Sequence, residues 1–396
     1  MSEKRFEFPG FIDVHVHFRD PGVPEAETTA SGLEAARRGG FAAVVVMPNT
    51  TPPIDTPERV RAQYSLGANA SSQNSSTFNL QPSTCLLTSA CITKGREGKE
   101  VAELEALAEA GAVFFTDDGT YVEDQQVLEE AMRRAYDLNM VVSQHALSPR
   151  FSEAEAIARD LAVCRETGCR YHVQHISTAK GVELVRAAQR EGLPVTAEAT
   201  PHHLLLTRDD ILCGSDEVRV MSEEVRTSNS SLLTIPSSFF KMAPPLATKE
   251  DRAEVRKAVK EGVLMFATDH APHPFAKKNV PYAEAANGII GLETAIPITY
   301  HVMVEEEGMS VEDWARAWWE MPRSVISNFK FQISKSLIDR EGKTLSDANQ
   351  TLNDFKTVVE VGEEREIDVN AFASLSRNCP YHGMKFRAFP ATLSLA

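Results

Sequence analysis

Eight short apolar segments recur along the chain, and amphipathic segments separate most of them. The apolar segments have the length of β-strands, and several amphipathic ones end at glycine, as α-helices often do. Near-continuous apolar strands that alternate with helices are typical of a parallel sheet covered on both faces. The candidate strands are residues 11–16, 42–47, 84–92, 112–116, 140–144, 170–175, 194–199 and 263–268. The candidate helices are residues 25–38, 99–110, 124–138, 152–167, 179–191 and 249–261.

This alternation predicts an α/β fold, and the number of strands favours a (β/α)8 TIM barrel. An open, doubly wound sheet is the alternative. The chain has no G-x-G-x-x-G after its first strand, which argues against the dinucleotide-binding form of that alternative. We predict a barrel over residues 8–325 and a divergent C-terminal segment over residues 326–396. Irregular insertions at about 69–83 and 213–239 interrupt the barrel, and we expect them to be surface loops.

Charge and composition argue against several classes of partner. The net charge of −15 argues against a nucleic acid or an anionic membrane, since both attract basic surfaces. No stretch approaches the ~18 consecutive apolar residues of a membrane span, and we expect no secretory signal. The six cysteines form no C-x-x-C pair, so we expect reduced thiols and a cytoplasmic protein.

Polar side chains cluster where the candidate strands end. The C-terminal ends of the strands of an α/β barrel converge at one mouth, where catalytic groups lie. The residues at these positions are His15, His17, Asn49, Asp117, Asp118, His145, His175, Asp269, His270 and His273. Taken singly, each has a structural interpretation, such as a hydrogen-bonded histidine or a turn. Taken together, they predict one functional site.

The spacing of His15 and His17 indicates a metal site. Residues two apart in a strand face the same side, so both imidazoles can bind one cation. Imidazole and carboxylate ligands suit Zn²⁺ and, less often, Mn²⁺, Co²⁺ or Fe²⁺. His145 and His175 can bind a second ion, and two bridged metal ions form a hydrolytic centre. Asp269 can then bind one ion and carry a proton to a leaving nitrogen as general acid/base.

Seven sequence blocks resemble the bacterial type of dihydroorotase within the amidohydrolase superfamily, and they occur in the family's order. They are GFIDVHVHFRDPG, GGFAAVVVMPNT, FFTDDG, HVQHIST, ATPHHLLLT, FATDHAPH and NGIIGLETA. The resemblance implies a hydrolase of pyrimidine biosynthesis that reversibly cyclises N-carbamoyl-L-aspartate to L-dihydroorotate. It also implies a small β domain built from the termini. We expect that domain to be reduced or degenerate, because the barrel begins almost at once and the C-terminal segment diverges.

The resemblance further implies a set of site residues. Two zinc ions per chain would be bridged by Asp118 and a hydroxide. One ion would be held by His15, His17 and Asp269, and the other by His145 and His175. The substrate carboxylate would bind Arg19, Asn49 and His273, with backbone contacts at Gly288 and Ile289. Arg19 suits this role because a guanidinium offers two parallel donors to a carboxylate, although an ion pair with Asp20 or Glu25 is its structural alternative.

Other interpretations stay open. The chain could be a related cyclic amidohydrolase of the allantoinase or hydantoinase kind, or a catalytically impaired scaffold for aspartate carbamoyltransferase. Ala243 in KMAPPL replaces an asparagine that the family associates with substrate binding. His202 and His203 either orient a site residue or are structural. A small-molecule substrate is expected, and both a homodimer and an association with aspartate carbamoyltransferase are options.

Overall fold

The computed structural model describes residues 3–73, 84–211, 218–219, 234–327 and 354–395. The strands in these ranges are β1 (Lys4–Pro9), β2 (Phe11–Val16), β3 (Phe41–Val46), β4 (Cys85–Thr88), β5 (Phe115–Thr116), β6 (Val141–Gln144), β7 (Arg170–Val173), β8 (Val195–Ala199), β9 (Val218–Arg219), β10 (Thr234–Ile235), β11 (Met265–Phe266), β12 (Phe355–Glu366) and β13 (Lys385–Leu395). The α-helices are α1 (Thr29–Arg38), α2 (Pro57–Gln73), α3 (Leu104–Ala110), α4 (Gln125–Asp137), α5 (Glu153–Thr167), α6 (Ala179–Arg190), α7 (Pro201–Leu205), α8 (Lys249–Lys260), α9 (Phe275–Lys278), α10 (Ala295–Tyr300) and α11 (Val311–Arg323).

Eight of the strands run parallel in one closed ring. The order β2-β3-β4 forms one group of neighbours, and β5-β6-β7-β8-β11 forms the other. Single bridges between Ala90 and Phe115 and between Val16 and His270 join the two groups. The prediction of a (β/α)8 barrel is therefore confirmed, and the open sheet is excluded. Strands β2 and β3 are buried along their whole length, as expected for parallel strands covered on both faces.

The helices begin and end at the signals that the sequence carries. In α5, Ser152 accepts a hydrogen bond from the backbone of Glu155, whose side chain in turn accepts one from the backbone of Ser152. The same helix ends at Gly168, whose φ of +71° is left-handed and suits glycine. Within the described parts of the chain, no helix is both long and apolar enough to cross a bilayer.

Both ends of the chain contribute to a second, antiparallel sheet in the order β1-β12-β13. Lys4 pairs with Val361 and Pro9 with Lys356. An N-terminal β segment therefore precedes the barrel, contrary to our expectation that the barrel begins almost at once. Residues 4–9 are at most partly buried, and their pairing partner is at the other end of the sequence. No local pattern reveals such a strand.

Thr357 joins this sheet to the start of the barrel. Its hydroxyl accepts a hydrogen bond from the Phe11 backbone at 2.9 Å and donates one to the Gly40 carbonyl at 2.7 Å. Phe11 begins β2, and Gly40 directly precedes β3. The small sheet is thus attached to the end of the barrel at which the strands begin.

The two predicted insertions differ from simple loops where they are described. Helix α2 extends to Gln73, so residues 69–73 are helical, and residues 74–83 lie outside the described part. In the second insertion, β9 and β10 pair antiparallel, and Ser237–Phe240 forms a 3₁₀ turn. The rest of that insertion, and residues 328–353 of the C-terminal segment, also lie outside the described residues.

Helix α11 packs its tryptophans into the core, as their helical spacing indicates. Trp314 lies edge-on to Phe11, with ring centroids 5.5 Å apart. Trp318 contacts Phe41 at 5.2 Å and Phe266 at 5.0 Å. Both tryptophans are fully buried, so they stabilise the junction between α11 and the barrel strands.

Candidate metal centre and substrate site

One group of possible ligands surrounds His15 and His17 at the end of β2. The Nε2 atom of His17 lies 2.9 Å from Oδ1 of Asp269 and 3.3 Å from Oδ2 of Asp118. The Nε2 atom of His15 lies 3.5 Å from Oδ1 of Asp269 and 3.4 Å from Oδ1 of Asp118. The ligand atoms of His15, His17 and Asp269 all lie within 4.8 Å of one another, close enough to hold one cation.

A second group of imidazoles lies at the same Asp118 oxygen that His15 approaches. His145 Nδ1 and His175 Nε2 are 2.9 Å apart, and each lies 3.9 Å from Oδ1 of Asp118. The ligand atoms of His15, Asp118 and His175 all lie within 4.8 Å of one another, so these three side chains could also hold an ion. Asp118 is therefore close to all four imidazoles, as a carboxylate shared by two ions would be.

These side chains come from separate strands of the ring. Asp118, His145 and His175 directly follow or lie close behind β5, β6 and β7, and Asp269 follows β11. Two of them have left-handed backbones, with φ of +31° at His175 and +48° at Asp269. Residues without glycine's freedom adopt such angles at a cost of about 1–3 kcal/mol, and such residues cluster at functional sites.

Hydrogen bonds orient both histidines of β2. His15 Nδ1 lies 2.5 Å from Oε1 of Glu198, and His17 Nδ1 lies 2.9 Å from Oδ1 of Asn49. An imidazole that donates through Nδ1 keeps its Nε2 lone pair for a metal. Glu198 also contacts His172 Nε2 at 3.0 Å, which gives His172 a partner that the sequence did not indicate.

The protonation states of His145, His175 and the two carboxylates agree with metal binding. Burial lowers the pKa of His175 to about 3 and also lowers that of His145, so both imidazoles are neutral. Burial alone would raise the pKa of Asp118 and Asp269, but the charge of His15 and the contacts with His17 hold both pKa values below their usual range.

His15 differs from the other imidazoles in its protonation. Burial would lower its pKa, but the negative charges of Glu198, Asp118 and Asp269 raise it well above its usual value. Because a metal binds the neutral imidazole, an ion at His15 would take the place of this proton.

Two buried polar atoms test whether a cation fits. His15 Nε2 and Asp118 Oδ1 make no hydrogen bond in the described structure, although both are buried and face each other. Buried polar atoms without partners are rare and costly. A cation between them would satisfy both. The nitrogen and oxygen donors fit a divalent transition metal such as zinc.

The proposed substrate residues lie on loops at the same end of the barrel. Arg19 Nε donates to the Pro272 carbonyl at 3.0 Å, and no ion pair joins it to Asp20 or Glu25, all three being described residues. Burial lowers the pKa of Arg19 to about 10, so it stays charged at neutral pH. His273 Nε2 lies 2.7 Å from the carbonyl of Asn287.

Gly288 and Ile289 directly follow Asn287 in the chain. Gly288 has a φ of +113°, and a Cβ there would meet the Cβ of Ala271 at 2.5 Å. Ile289 pairs with His270 through a bridge, and the Ala271 backbone donates to the Ile289 carbonyl at 2.8 Å. The backbone at 288–289 therefore packs closely against the loop after β11.

Several other polar residues have structural partners. Asp117 accepts hydrogen bonds from the backbones of Ile92 and Thr93, at 2.9 and 3.1 Å. His203 lies 2.9 Å from the Thr200 hydroxyl and donates to the Pro244 carbonyl at 3.1 Å.

Two more histidines near the site differ in their partners. His270 contacts Glu27 and accepts from the Gly291 backbone at 3.1 Å, so it points away from the ligand cluster. His202 is buried, and its Nε2 has no hydrogen-bond partner in the described structure.

Sequence reasoning missed the residues that support the ligands. Glu198 lies inside β8, and Arg96 donates to the Asp118 carbonyl at 2.6 Å from a loop with a φ of +58°. Asp13 accepts hydrogen bonds from the Thr268 hydroxyl at 2.5 Å and the Thr268 backbone at 3.1 Å. The carboxylate of Asp13, two residues before His15, was the available signal, since it shares that histidine's face of the strand.

Comparisons with known proteins agree with this geometry. A family model described as Dihydro-orotase-like matches residues 4–149. The dihydroorotase of Carboxydothermus hydrogenoformans is 36% identical over 412 residues, covering 98% of this chain and 85% of that protein. The dihydroorotase of Thermus aquaticus is 35% identical over 415 residues, covering 97% and 86%.

Solved structures share the fold. L-Hydantoinase (dihydropyrimidinase) from Arthrobacter aurescens has a TM-score of 0.74 at 22% identity, over 99% of this chain and 84% of that one. Dihydroorotase from Saccharomyces cerevisiae, in complex with 5-fluoroorotic acid, has a TM-score of 0.69 at 16% identity, over 99% of both chains. At these identities the likeness concerns architecture alone.

Proposed function

Because this chain belongs to the dihydroorotase family, we propose that it interconverts N-carbamoyl-L-aspartate and L-dihydroorotate in pyrimidine biosynthesis. It is a hydrolase that acts on a cyclic amide C–N bond. The observation that carries the substrate assignment is the placement of Arg19. Its charged guanidinium is anchored to the Pro272 carbonyl, three residues beyond Asp269. A carboxylate-bearing cyclic amide would thus meet both a cation and the ligand cluster.

The ligand cluster would hold two zinc ions. His15, His17 and Asp269 would bind one, His145 and His175 the other, and Asp118 would bridge them. The convergent distances and the unpartnered His15 and Asp118 atoms support this proposal. Ions bound there would lower the pKa of water and polarise the amide carbonyl of the substrate.

Asp269 would act as general acid/base. Its Oδ1 lies within 3.5 Å of the Nε2 atoms of His15 and His17, which supports a role in taking the proton of an attacking water. In the hydrolytic direction Asp269 takes that proton and gives it to the ring nitrogen as the C–N bond breaks. In the cyclising direction the same carboxylate removes a proton from the attacking ureido nitrogen.

The substrate carboxylate would bind on the Arg19 side of the cluster. Arg19 supplies a charged fork, and Asn49, whose Oδ1 already contacts His17, supplies its amide NH₂. His273 and the backbone at Gly288 and Ile289 complete this side. The evidence for grouping them is the contact between the loop of His273 and the loop of Gly288, which His273 Nε2 makes with the Asn287 carbonyl.

Location and assembly stay predictions. The five cysteines that the structure describes are free and buried, which supports the prediction of a cytoplasmic protein. Association with aspartate carbamoyltransferase would be logical, since that enzyme's product is the substrate proposed here. Sedimentation of the purified chain, alone and with that enzyme, distinguishes a monomer, a homodimer and a mixed complex.

The experiment that tests the function pairs two measurements on purified protein. One is zinc content, and the other is the loss of ultraviolet absorbance as the dihydroorotate ring opens. We expect about two zinc ions per chain and turnover. A full metal site without turnover of dihydroorotate would favour a hydantoinase-like substrate. Little metal and no turnover would favour the scaffold alternative.

A further inference from the structure

Asn378 is a buried amide in the segment that connects β12 to β13, only 2% exposed. Its Nδ2 donates to the carbonyls of Ala271 and Gly288, at 2.9 and 3.1 Å. Its Oδ1 accepts from the backbone of His273 at 3.2 Å. One side chain therefore joins the loop after β11 to the loop at 286–290.

The backbone around Asn378 strengthens the same junction. The Ile290 backbone donates to the Asn378 carbonyl at 3.1 Å. Two residues earlier, the Ser376 hydroxyl lies 3.0 Å from the His273 carbonyl and 2.8 Å from that of Ala26. The C-terminal segment thus contacts both the N–H and the carbonyl of His273, although Asn378 lies 105 positions further along the sequence.

These contacts reach the loops that carry His273, Gly288 and the anchor of Arg19, but not Asn49. Pro272, between the two residues that Asn378 contacts, carries the carbonyl that anchors Arg19. His273 Nε2 contacts Asn287, directly before Gly288. A shift of the loop after β11 would therefore move the guanidinium and the imidazole together. The side chains of His15, His17 and Asp269 contact one another, Glu198 and Asn49, and in the described part of the chain none of them contacts Asn378.

We propose that Asn378 is a positioning residue that sets the spacing of the groups that bind the substrate carboxylate. Its amide is suited to this because two donors and one acceptor match two carbonyls and one N–H. No other side-chain type of that size offers this combination. The inference rests on the proposed function, and it assigns a role in the site to the C-terminal segment.

The test compares Asn378→Ala and Asn378→Asp with the wild-type enzyme. Aspartate keeps the oxygen that accepts from the His273 backbone. It replaces the amide NH₂ by an oxygen, which cannot donate to the carbonyls of Ala271 and Gly288. We expect KM for dihydroorotate to rise about tenfold or more, because small misplacements of binding groups are costly. We expect kcat at saturation and zinc content to change by less than about threefold, since the interaction lost is one of binding.

Thr357→Val is the matched control. Thr357 is likewise buried and lies at the far end of the barrel, and its hydroxyl makes two hydrogen bonds to backbone where the Asn378 amide makes three. It should lower the melting temperature and leave KM unchanged. An Asn378 variant that behaves like this control, or one that loses zinc and kcat together, would overturn the inference. Failure of the wild-type enzyme to turn over dihydroorotate would overturn the proposed function, and this inference with it.

Discussion

Asp269 combines a metal-ligating position with a strained backbone and a contact to His17 Nε2 at 2.9 Å. Asp269→Asn keeps the shape and one oxygen ligand but removes the proton acceptor. We expect the variant to fold and retain zinc while kcat falls by about 10²–10⁴-fold, the usual contribution of a general acid/base. Metal analysis, a melting curve and the ring-opening assay check this. Near-normal turnover would rule out the proton-transfer role.

Arg19 decides between an acidic and a neutral cyclic amide. Arg19→Ala should reduce kcat/KM for dihydroorotate by about 10–150-fold, the equivalent of losing hydrogen bonds to a charged group at about 1.5–3 kcal/mol. Slow turnover of dihydrouracil, which lacks the carboxylate, should be unaffected. The exposed Arg38→Ala, which loses a surface pair with Glu34 and a hydrogen bond to the Ala371 carbonyl, is the control. Equal losses on both substrates would mean that Arg19 does not recognise the carboxylate.

Glu198 contacts His15, a proposed metal ligand, but is not a proposed ligand itself. Its substitution therefore tests how much the orientation of His15 contributes to metal binding. The carboxylate contacts both His15 and His172. Burial alone would raise its pKa, but the charge of His15 and hydrogen bonds from His15 and His172 lower it from 4.5 to about 2. Glu198→Gln should weaken zinc binding about 10–100-fold, as loss of such oriented partners does. Competition with a chromogenic chelator measures this, and Thr196→Val, which loses only a contact to His172, is the control. Unchanged affinity would show that His15 needs no such partner.

The convergence of the proposed ligands could be predicted from sequence, but the residues that contact them could not. His15 and His17 share one face of a strand, and Asp118, His145 and His175 each come at a strand end, so local spacing was enough. Glu198 reads like any polar residue in a strand, although it is fully buried. Asn378 makes its side-chain contacts with residues 90 to 107 positions away in the sequence. Such residues are defined by tertiary partners, which periodicity does not encode.

Secondary-structure elements also divide into those that a local pattern predicts and those that depend on distant partners. The barrel strands are buried on both faces, so each appears in the sequence as a short continuous apolar run. β1 and β12 are different, because each is stabilised by the other across the chain ends. The predicted segment 84–92 shortens to Cys85–Thr88 because the residues beyond it turn towards Asp117. The predicted segment 263–268 likewise shortens to Met265–Phe266 before Asp269.

The turn His301–Glu306 that continues α10 contains a pH-dependent ion pair. His301 lies 2.8 Å from Glu305 and 3.1 Å from Glu306, and hydrogen bonds to both raise its pKa from 6.5 to about 9. The folded chain thus binds this proton more tightly than the unfolded chain. The resulting stability, about 1 kcal/mol for a partly exposed group, is fully present below pH 6.5 and lost as the pH rises through about 9.

His301→Gln tests this turn. Urea unfolding of the wild type and variant should differ below about pH 6 and converge above about pH 9.5. His382→Gln, whose imidazole lies 3.8 Å from Asp368, is the control and should show a smaller difference. A constant difference between His301→Gln and wild type at every pH would attribute the effect to packing instead of charge.

At the scale of the whole molecule, the proposed metal centre and the closure of the barrel depend on the same strands. The ligands come from the ends of β2, β5, β6, β7 and β11, so bound ions would connect both groups of the ring. The seam between β2 and β11 is short. It consists of the Val16–His270 bridge and the hydrogen bond from His17 to the His270 carbonyl at 2.8 Å. His17 and Asp269, which flank that seam, are both proposed ligands of the first ion.

Metal removal should therefore destabilise the fold, and most strongly at this seam. A metal present at a hundredfold excess over its Kd contributes about 2.7 kcal/mol to the free energy of unfolding, and a chelator removes that contribution. Calorimetry with and without chelator measures the melting temperature, and hydrogen exchange locates the loss of protection. We expect the amide of His17 to lose protection before that of Phe11, which Thr357 holds at the opposite end of β2. An unchanged melting temperature, or uniform loss along β2, would mean that the ring closes without help from the metal centre.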